Sequence, residues 1–181
     1  LPGGCAWGPR PVNYHLQAME TLGAEVHLSD GMILAKGKLR GGTINFQQSS
    51  VGATGNALMA AVNAEGTTNI INAAQEPEIE ALCIFLNKMG GEIKGLGTSE
   101  LIICGKQNLH SGIEYTIIPD RIEAGTFLIA GAITGGKITI VNADSSHMDA
   151  LLRYLQDAGF ELGIKKNTIQ IKMRNNSIKP T

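Results

Sequence analysis

Cys5 stands in the stretch "LPGGCAWGPRPV" (1–12), directly behind Gly3 and Gly4, and Arg10 and Pro11 follow shortly after it. Glycine has no Cβ, so such a backbone bends freely and presents its neighbour's side chain. A free thiol titrates near ~8.5, so at neutral pH it is mostly protonated yet able to give up its proton. That is the property of a general acid. An incidental thiol on a flexible loop accounts for the same residues. Arg10, held by the rigid Pro11, suits a phosphate because a guanidinium fork engages two oxygens at once; a surface arginine ahead of a helix is the alternative. "SSVGATG" (49–55) runs from two serines into a small-residue helix. The first N–H groups of a helix favour an anion, and Gly52 lets a ligand come close. A serine N-cap without a ligand explains the pattern equally.

Other candidates carry weaker chemistry. Asp120 and Arg121 open a second small-residue helix, as an ion pair at a hinge or as groups facing a ligand. His15 lies at a helix start, where it caps or packs, and Cys83 and Cys104 sit on apolar faces as packing residues. Trp7 is the only tryptophan and is placed beside Cys5, where it can cover the loop, so the segment also reads as a lid.

The elements that must position these residues repeat. "ALMAAVNAEGTTNIINA" (57–73) aligns with "FLIAGAITGGKITIVNA" (127–143) at an offset of about 70 residues. The match covers Leu58 and Leu128, Gly66 and Gly136, Asn72 and Asn142, and Ala73 and Ala143. It resumes with Leu86 and Leu155, Gly90 and Gly159, and Glu92 and Glu161. Each unit predicts a small-residue helix, a strand, a second helix ended by glycine, and two strands about a turn. Ile79, Leu82, Cys83, Leu86 and Met89 form the apolar stripe of one second helix; Met148, Leu151, Leu152, Leu155 and Ala158 form that of the other. The first helices differ. Leu128, Ile129, Ala130, Ala132 and Ile133 leave almost no polar face, which predicts a helix enclosed on all sides. Helices inside and sheets outside, each sheet with one wet face, is the architecture this implies.

"HLQAMETLGAEVHLSDGMILAKG" (15–37) resembles only the second half of a unit, with Gly23 at the place of Gly90 and Glu25 at that of Glu92. The chain is therefore expected to begin partway through one unit and to be a piece of a longer protein. A boundary is expected near "TIIPDRIEA" (116–124), where Pro119 interrupts an apolar strand and holds Ile118 extended. This gives 1–119 as part of one domain, a half unit plus one full unit, and 120–181 as the first unit of a second.

Composition excludes several functions. The net charge is -1, which gives no basic surface for nucleic acid. No apolar run approaches the roughly 20 residues of a membrane span, and no signal-peptide pattern is visible. Three cysteines without CxxC spacing, and histidines without i, i+4 pairing, predict neither a disulfide framework nor a metal site. A reducing cytosol and no cofactor are the expectations.

Taken together, "LPGGCAWGPRPV", "SVGAT", "AEGTT", "NAAQEPEIE", "FLNKMGGEI", "IPDRIEAGTF" and "AGAITGG" run along nearly the whole chain. In that order they resemble the UDP-N-acetylglucosamine enolpyruvyl transferases. The related shikimate-pathway enolpyruvyl transferases share the repeat but not the glycine-glycine-cysteine loop. The resemblance implies an inside-out α/β barrel built of repeated βαβαββ units, of which this chain holds part. It implies a cytoplasmic enzyme of peptidoglycan synthesis that moves the enolpyruvyl group of phosphoenolpyruvate to the 3′-hydroxyl of UDP-N-acetylglucosamine. The family's cysteine falls on Cys5, as general acid, as point of attachment of phosphoenolpyruvate, and as target of the epoxide fosfomycin. Its nucleotide-sugar contacts fall on Arg10, Pro11, Val12 and Asn13 and on Ser50, Val51 and Gly52.

Some positions depart from the family pattern. Asn13 replaces an acidic residue, keeping a carbonyl acceptor and losing the charge. Tyr14 replaces an aliphatic residue, Gln48 a lysine, Ser49 a valine and Gln75 an arginine. The family's lysine-asparagine pair, its remaining phosphate-binding arginines and its proposed base are expected in the remainder of the parent chain. A non-catalytic binding module of the same fold is the alternative for these residues alone.

Overall fold

The computed structural model describes residues 4–5, 8–9, 12–106 and 108–173, the first two pairs by backbone only. The chain divides into two compact units, Leu1–Thr116 and Ile117–Thr181.

In the first unit, β1 (Gly4–Cys5) and β2 (Gly8–Pro9) pair antiparallel, with Cys5 opposite Gly8. Helix α1 (Asn13–Thr21) leads into a hairpin of β3 (Glu25–Ser29) and β4 (Met32–Lys36). Asp30 and Gly31 turn that hairpin at φ 51° and 75°, the left-handed pair that a two-residue connection requires. Then come β5 (Thr43–Asn45), α2 (Val51–Ala61), β6 (Thr67–Ile71), α3 (Pro77–Lys88), β7 (Glu92–Lys94) and β8 (Glu100–Cys104). The sheet runs β5-β6-β8-β7. Its β5–β6 pair is parallel, Ile44 beside Ile70, and the others are antiparallel. A parallel pair needs a crossover, and α2 supplies it.

Alternate residues of β6 and β8 are buried: Thr68, Ile70, Leu101 and Ile103 point inward while Thr67, Asn69 and Ile102 are exposed. This is the one-wet-face sheet that the period-two pattern predicts. Against the inner face lie Ala53, Ala57, Leu58 and Ala61 of α2 and Ile79, Cys83 and Leu86 of α3. Small side chains on α2 let the helix settle close to the sheet.

The second unit repeats the plan. It holds α4 (Arg121–Ile133), β9 (Ile138–Val141), a single 3-10 turn at Ser145–Met148, α5 (Asp149–Asp157), β10 (Phe160–Lys165) and β11 (Thr168–Met173). The sheet order is β10-β11-β9, all antiparallel. Leu128, Leu152, Leu155, Phe160, Ile169 and Ile171 make its core.

The repeat is also visible in the backbone. Gly23, Gly90 and Gly159, which end α1, α3 and α5, take φ of 91°, 95° and 99°. Asn72 and Asn142, which end β6 and β9, take 57° and 54°. An αL residue after a helix is the common glycine stop, and asparagine is among the few other residues that tolerate it.

Two expectations need correction. The apolar stretch before Pro119 forms no strand: among the described residues, 105–120 carry no regular element. The repeat sets 113–115 opposite β5 (Thr43–Asn45) and Pro119 opposite Ser49, outside that strand, so nothing in the structure ties the missing strand to the proline. Nor is α4 enclosed on all sides. It buries Ala124, Leu128 and Ala132, while Ile122, Phe127, Ile129 and Ile133 stand 41–76% exposed. One sheet and one partner helix cover only one side of it.

Candidate functional site

Two neighbouring helix starts carry the residues whose side chains can be placed. Val12 precedes α1, its carbonyl accepting from Leu16 N–H at 3.1 Å, and Asn13 opens the helix exposed to solvent. Ser50 precedes α2 in an extended conformation (φ −142°, ψ 115°). Its Oγ accepts from Ala53 N–H at 3.3 Å, so Ser50 is an N-cap. That bond leaves the N–H groups of Val51 and Gly52 without a partner among the described residues. They stand at the positive end of the helix dipole, where an anion is favoured. Gly52 is exposed and Ser50 and Val51 are half-buried, so the helix end is open to a ligand.

The two starts are fixed to one body. Tyr14 meets the buried Phe46 edge-on, ring centroids 5.9 Å apart. Gln17 Nε2 donates to the Asn45 carbonyl at 3.3 Å. Asn72 Nδ2 donates to the Phe46 carbonyl at 3.0 Å, and Ala74 N–H donates to Thr54 Oγ1 at 3.1 Å. His15 does not cap α1; it packs, half-buried, against α2. Its Nδ1 lies 3.0 Å from Asn56 Nδ2 on α2, a partner no motif reading singled out. Gln48 and Ser49, two departures from the family pattern, are exposed on the loop before α2.

Of the remaining candidates, the side chain of Cys5 and all of Arg10, Pro11 and Trp7 lie outside the described residues. The backbone puts Cys5 in the short β1–β2 ladder. Asp120 caps α4: its Oδ1 accepts from Ile122 N–H at 2.8 Å and Glu123 N–H at 3.1 Å. Arg121 borders a groove of about 410 Å³ between α4 and α5, with Thr126, Ser146, His147 and Asp149. Within it, His147 Nε2 stands 3.7 Å from Asp144, and the Ser146 hydroxyl and N–H hold the Asp144 carboxyl below the usual range. Cys83 is fully buried, and burial pushes its thiol up to about 11, with Glu80 adding to the effect. It is not a nucleophile at neutral pH. Cys104 ends β8 half-buried.

Comparison with known proteins sets this geometry in context. Residues 1–181 match the family EPSP synthase (3-phosphoshikimate 1-carboxyvinyltransferase). A UDP-N-acetylglucosamine 1-carboxyvinyltransferase of Chlorobium luteolum is 57% identical over 175 residues, which are 95% of this chain and 41% of that protein. One from Campylobacter hominis is 50% identical over 182 residues, 100% of this chain and 43% of that protein. The crystal structure of the enolpyruvyl transferase NikO from Streptomyces tendae superposes with a TM-score of 0.82 at 21% identity, over 94% of this chain and 44% of that one. The chain thus spans less than half the length of the relatives it matches.

Proposed function

The chain belongs to the EPSP synthase (3-phosphoshikimate 1-carboxyvinyltransferase) family, and on that premise we propose that it forms part of a cytoplasmic UDP-N-acetylglucosamine enolpyruvyl transferase of peptidoglycan synthesis. The observation that carries the choice of substrate is the 57% identity to a protein named for that reaction. The glycine-glycine-cysteine loop supports it. No helix among the described residues is long and apolar enough to cross a membrane, which accords with a cytoplasmic place. Residues 1–119 belong in this reading to the domain that carries the catalytic loop, and 120–181 open the second.

The roles follow from chemistry. The 3′-hydroxyl oxygen of the sugar bonds to C2 of phosphoenolpyruvate while the Cys5 thiol gives its proton to C3; the hydroxyl proton passes to a base. The tetrahedral ketal then loses a proton from C3 and its phosphate, leaving the enolpyruvyl ether. A thiol suits the addition because it is protonated at neutral pH yet close to titration. Arg10, Pro11, Val12 and Asn13 hold the nucleotide end, with the Asn13 carbonyl accepting a uracil N–H. Ser50, Val51 and Gly52 present the end of α2 to the pyrophosphate, where free N–H groups and the dipole act together.

The test is phosphate release from phosphoenolpyruvate on addition of UDP-N-acetylglucosamine, in the full-length polypeptide that carries this sequence. Release is expected. Cys5→Ser abolishes it, and Cys5→Asp retains measurable turnover because a carboxylic acid also donates a proton. Release with shikimate 3-phosphate and none with the nucleotide sugar transfers the chain to the sister reaction.

A further inference from the structure

We propose that His15 and Asn56 are a positioning pair for the nucleotide sugar, holding the start of α1 and the start of α2 in the relation that lets both grip one ligand. The inference rests on the reading of Val12–Asn13 and Ser50–Gly52 as substrate-binding segments and adds two residues to it. Asn56 Nδ2 can only donate, so at 3.0 Å His15 Nδ1 accepts and the ring proton sits on Nε2. Gly52 and Asn56 are four residues apart on α2 and share one face. The ring lies along that face: a Cβ built at Gly52 would stand 3.4 Å from both Cε1 and Nε2 of His15. The imidazole is therefore held from two sides, by the amide at 56 and by the space that glycine leaves at 52. Its Cε1–Nε2 edge lies beside Gly52, at the end of α2 where the N–H groups of Val51 and Gly52 have no partner among the described residues.

Two observations separate this from ordinary packing. Helix α1 is already fastened to its unit by the buried Ala18 and Leu22, by the Tyr14–Phe46 contact and by Gln17. The repeat also manages without the pair. Thr126 occupies the place of Asn56 in the second unit, and its hydroxyl turns back to the Ile122 carbonyl of its own helix at 2.7 Å. The scaffold does not require a cross-helix bond at this position; the first unit has one where the proposed ligand segments meet.

Steady-state kinetics of the full-length polypeptide test the pair. Asn56→Ala should raise KM for UDP-N-acetylglucosamine about five- to tenfold, the loss of one hydrogen bond. Turnover number and KM for phosphoenolpyruvate should stay within about twofold. Asn56→Thr, the residue of the second unit, should do the same with the fold kept. The double change with His15→Ala should be no worse than the worse single change, since both break one interaction. An unchanged nucleotide-sugar KM in both Asn56 variants overturns the inference alone. So does a loss spread equally over both substrates and turnover. A wild type that never uses UDP-N-acetylglucosamine overturns it together with the proposed function.

Discussion

Cys83 and Cys5 show how position decides what a thiol can do. Cys83 faces Ile79 and Leu86 on the buried side of α3, and the desolvation there, with Glu80 nearby, moves its titration up to about 11. The folded state therefore keeps this proton where an unfolded chain, with its ordinary value of 9.0, releases it. The stability that follows is complete below that value and declines as pH rises from there toward the folded value. Denaturant titrations at pH 8, 9, 10 and 11 should show a slope in wild type that is shallower in Cys83→Ala. That variant should also be about 1 kcal/mol less stable at pH 8 for the vacated volume, a deficit that narrows as the pH rises. Identical slopes in the two proteins would remove the assignment. At pH 7.5, maleimide should leave Cys83 unlabelled in the folded chain, whereas Cys5, if it serves as an acid, must be reachable.

At the scale of elements, α2 and α4 begin alike and differ in one group. Ser50 and Asp120 are equivalent N-caps, but Ser50 is neutral and takes one N–H, whereas the Asp120 carboxylate takes two and brings a negative charge. An aspartate caps as well as a serine, and it also fills the place an anion would take. Ser50→Asp should therefore leave thermal stability unchanged and raise KM for the nucleotide sugar by about tenfold or more, the cost of opposing charges in a half-buried site. Added salt should soften the effect, which separates repulsion from misfolding; an unaltered KM would place the pyrophosphate elsewhere. These elements were legible in the sequence because each is punctuated locally. Gly23, Gly90 and Gly159 sit where φ turns positive, and Asn72 and Asn142 end equivalent strands the same way. The His15–Asn56 contact was not legible, since its members are 41 residues apart and neither belongs to a motif. The missing strand before α4 was not legible: the residues that the repeat sets opposite β5 include Ile113 and Tyr115, yet 113–115 carry no regular element. Cys5, Arg10 and Pro11 were singled out by residue type, yet only the family resemblance gave them definite roles.

At the scale of the whole molecule, the two units hold separate cores, one built on Leu58, Ile70 and Leu101 and the other on Leu128, Ile169 and Ile171. In the second, α4 is half a core helix. Ile122, Phe127, Ile129 and Ile133 remain exposed, Ile133 at 76%, although a helix apolar on every side belongs in an interior. The chain spans 41% of the Chlorobium luteolum protein that it matches. For the 181-residue polypeptide the physical consequence is direct: apolar side chains left on water, Ile122, Ile129 and Ile133 along one flank of α4 and Phe127 on the other, favour association. Light scattering and sedimentation should show self-association that grows with concentration. Phe127→Glu with Ile133→Lys should suppress it while the thermal midpoint holds, because both side chains are largely outside the packed face. A wild-type chain that stays monomeric at high concentration would mean that this face is already covered, and the half-open reading of α4 would fall with it.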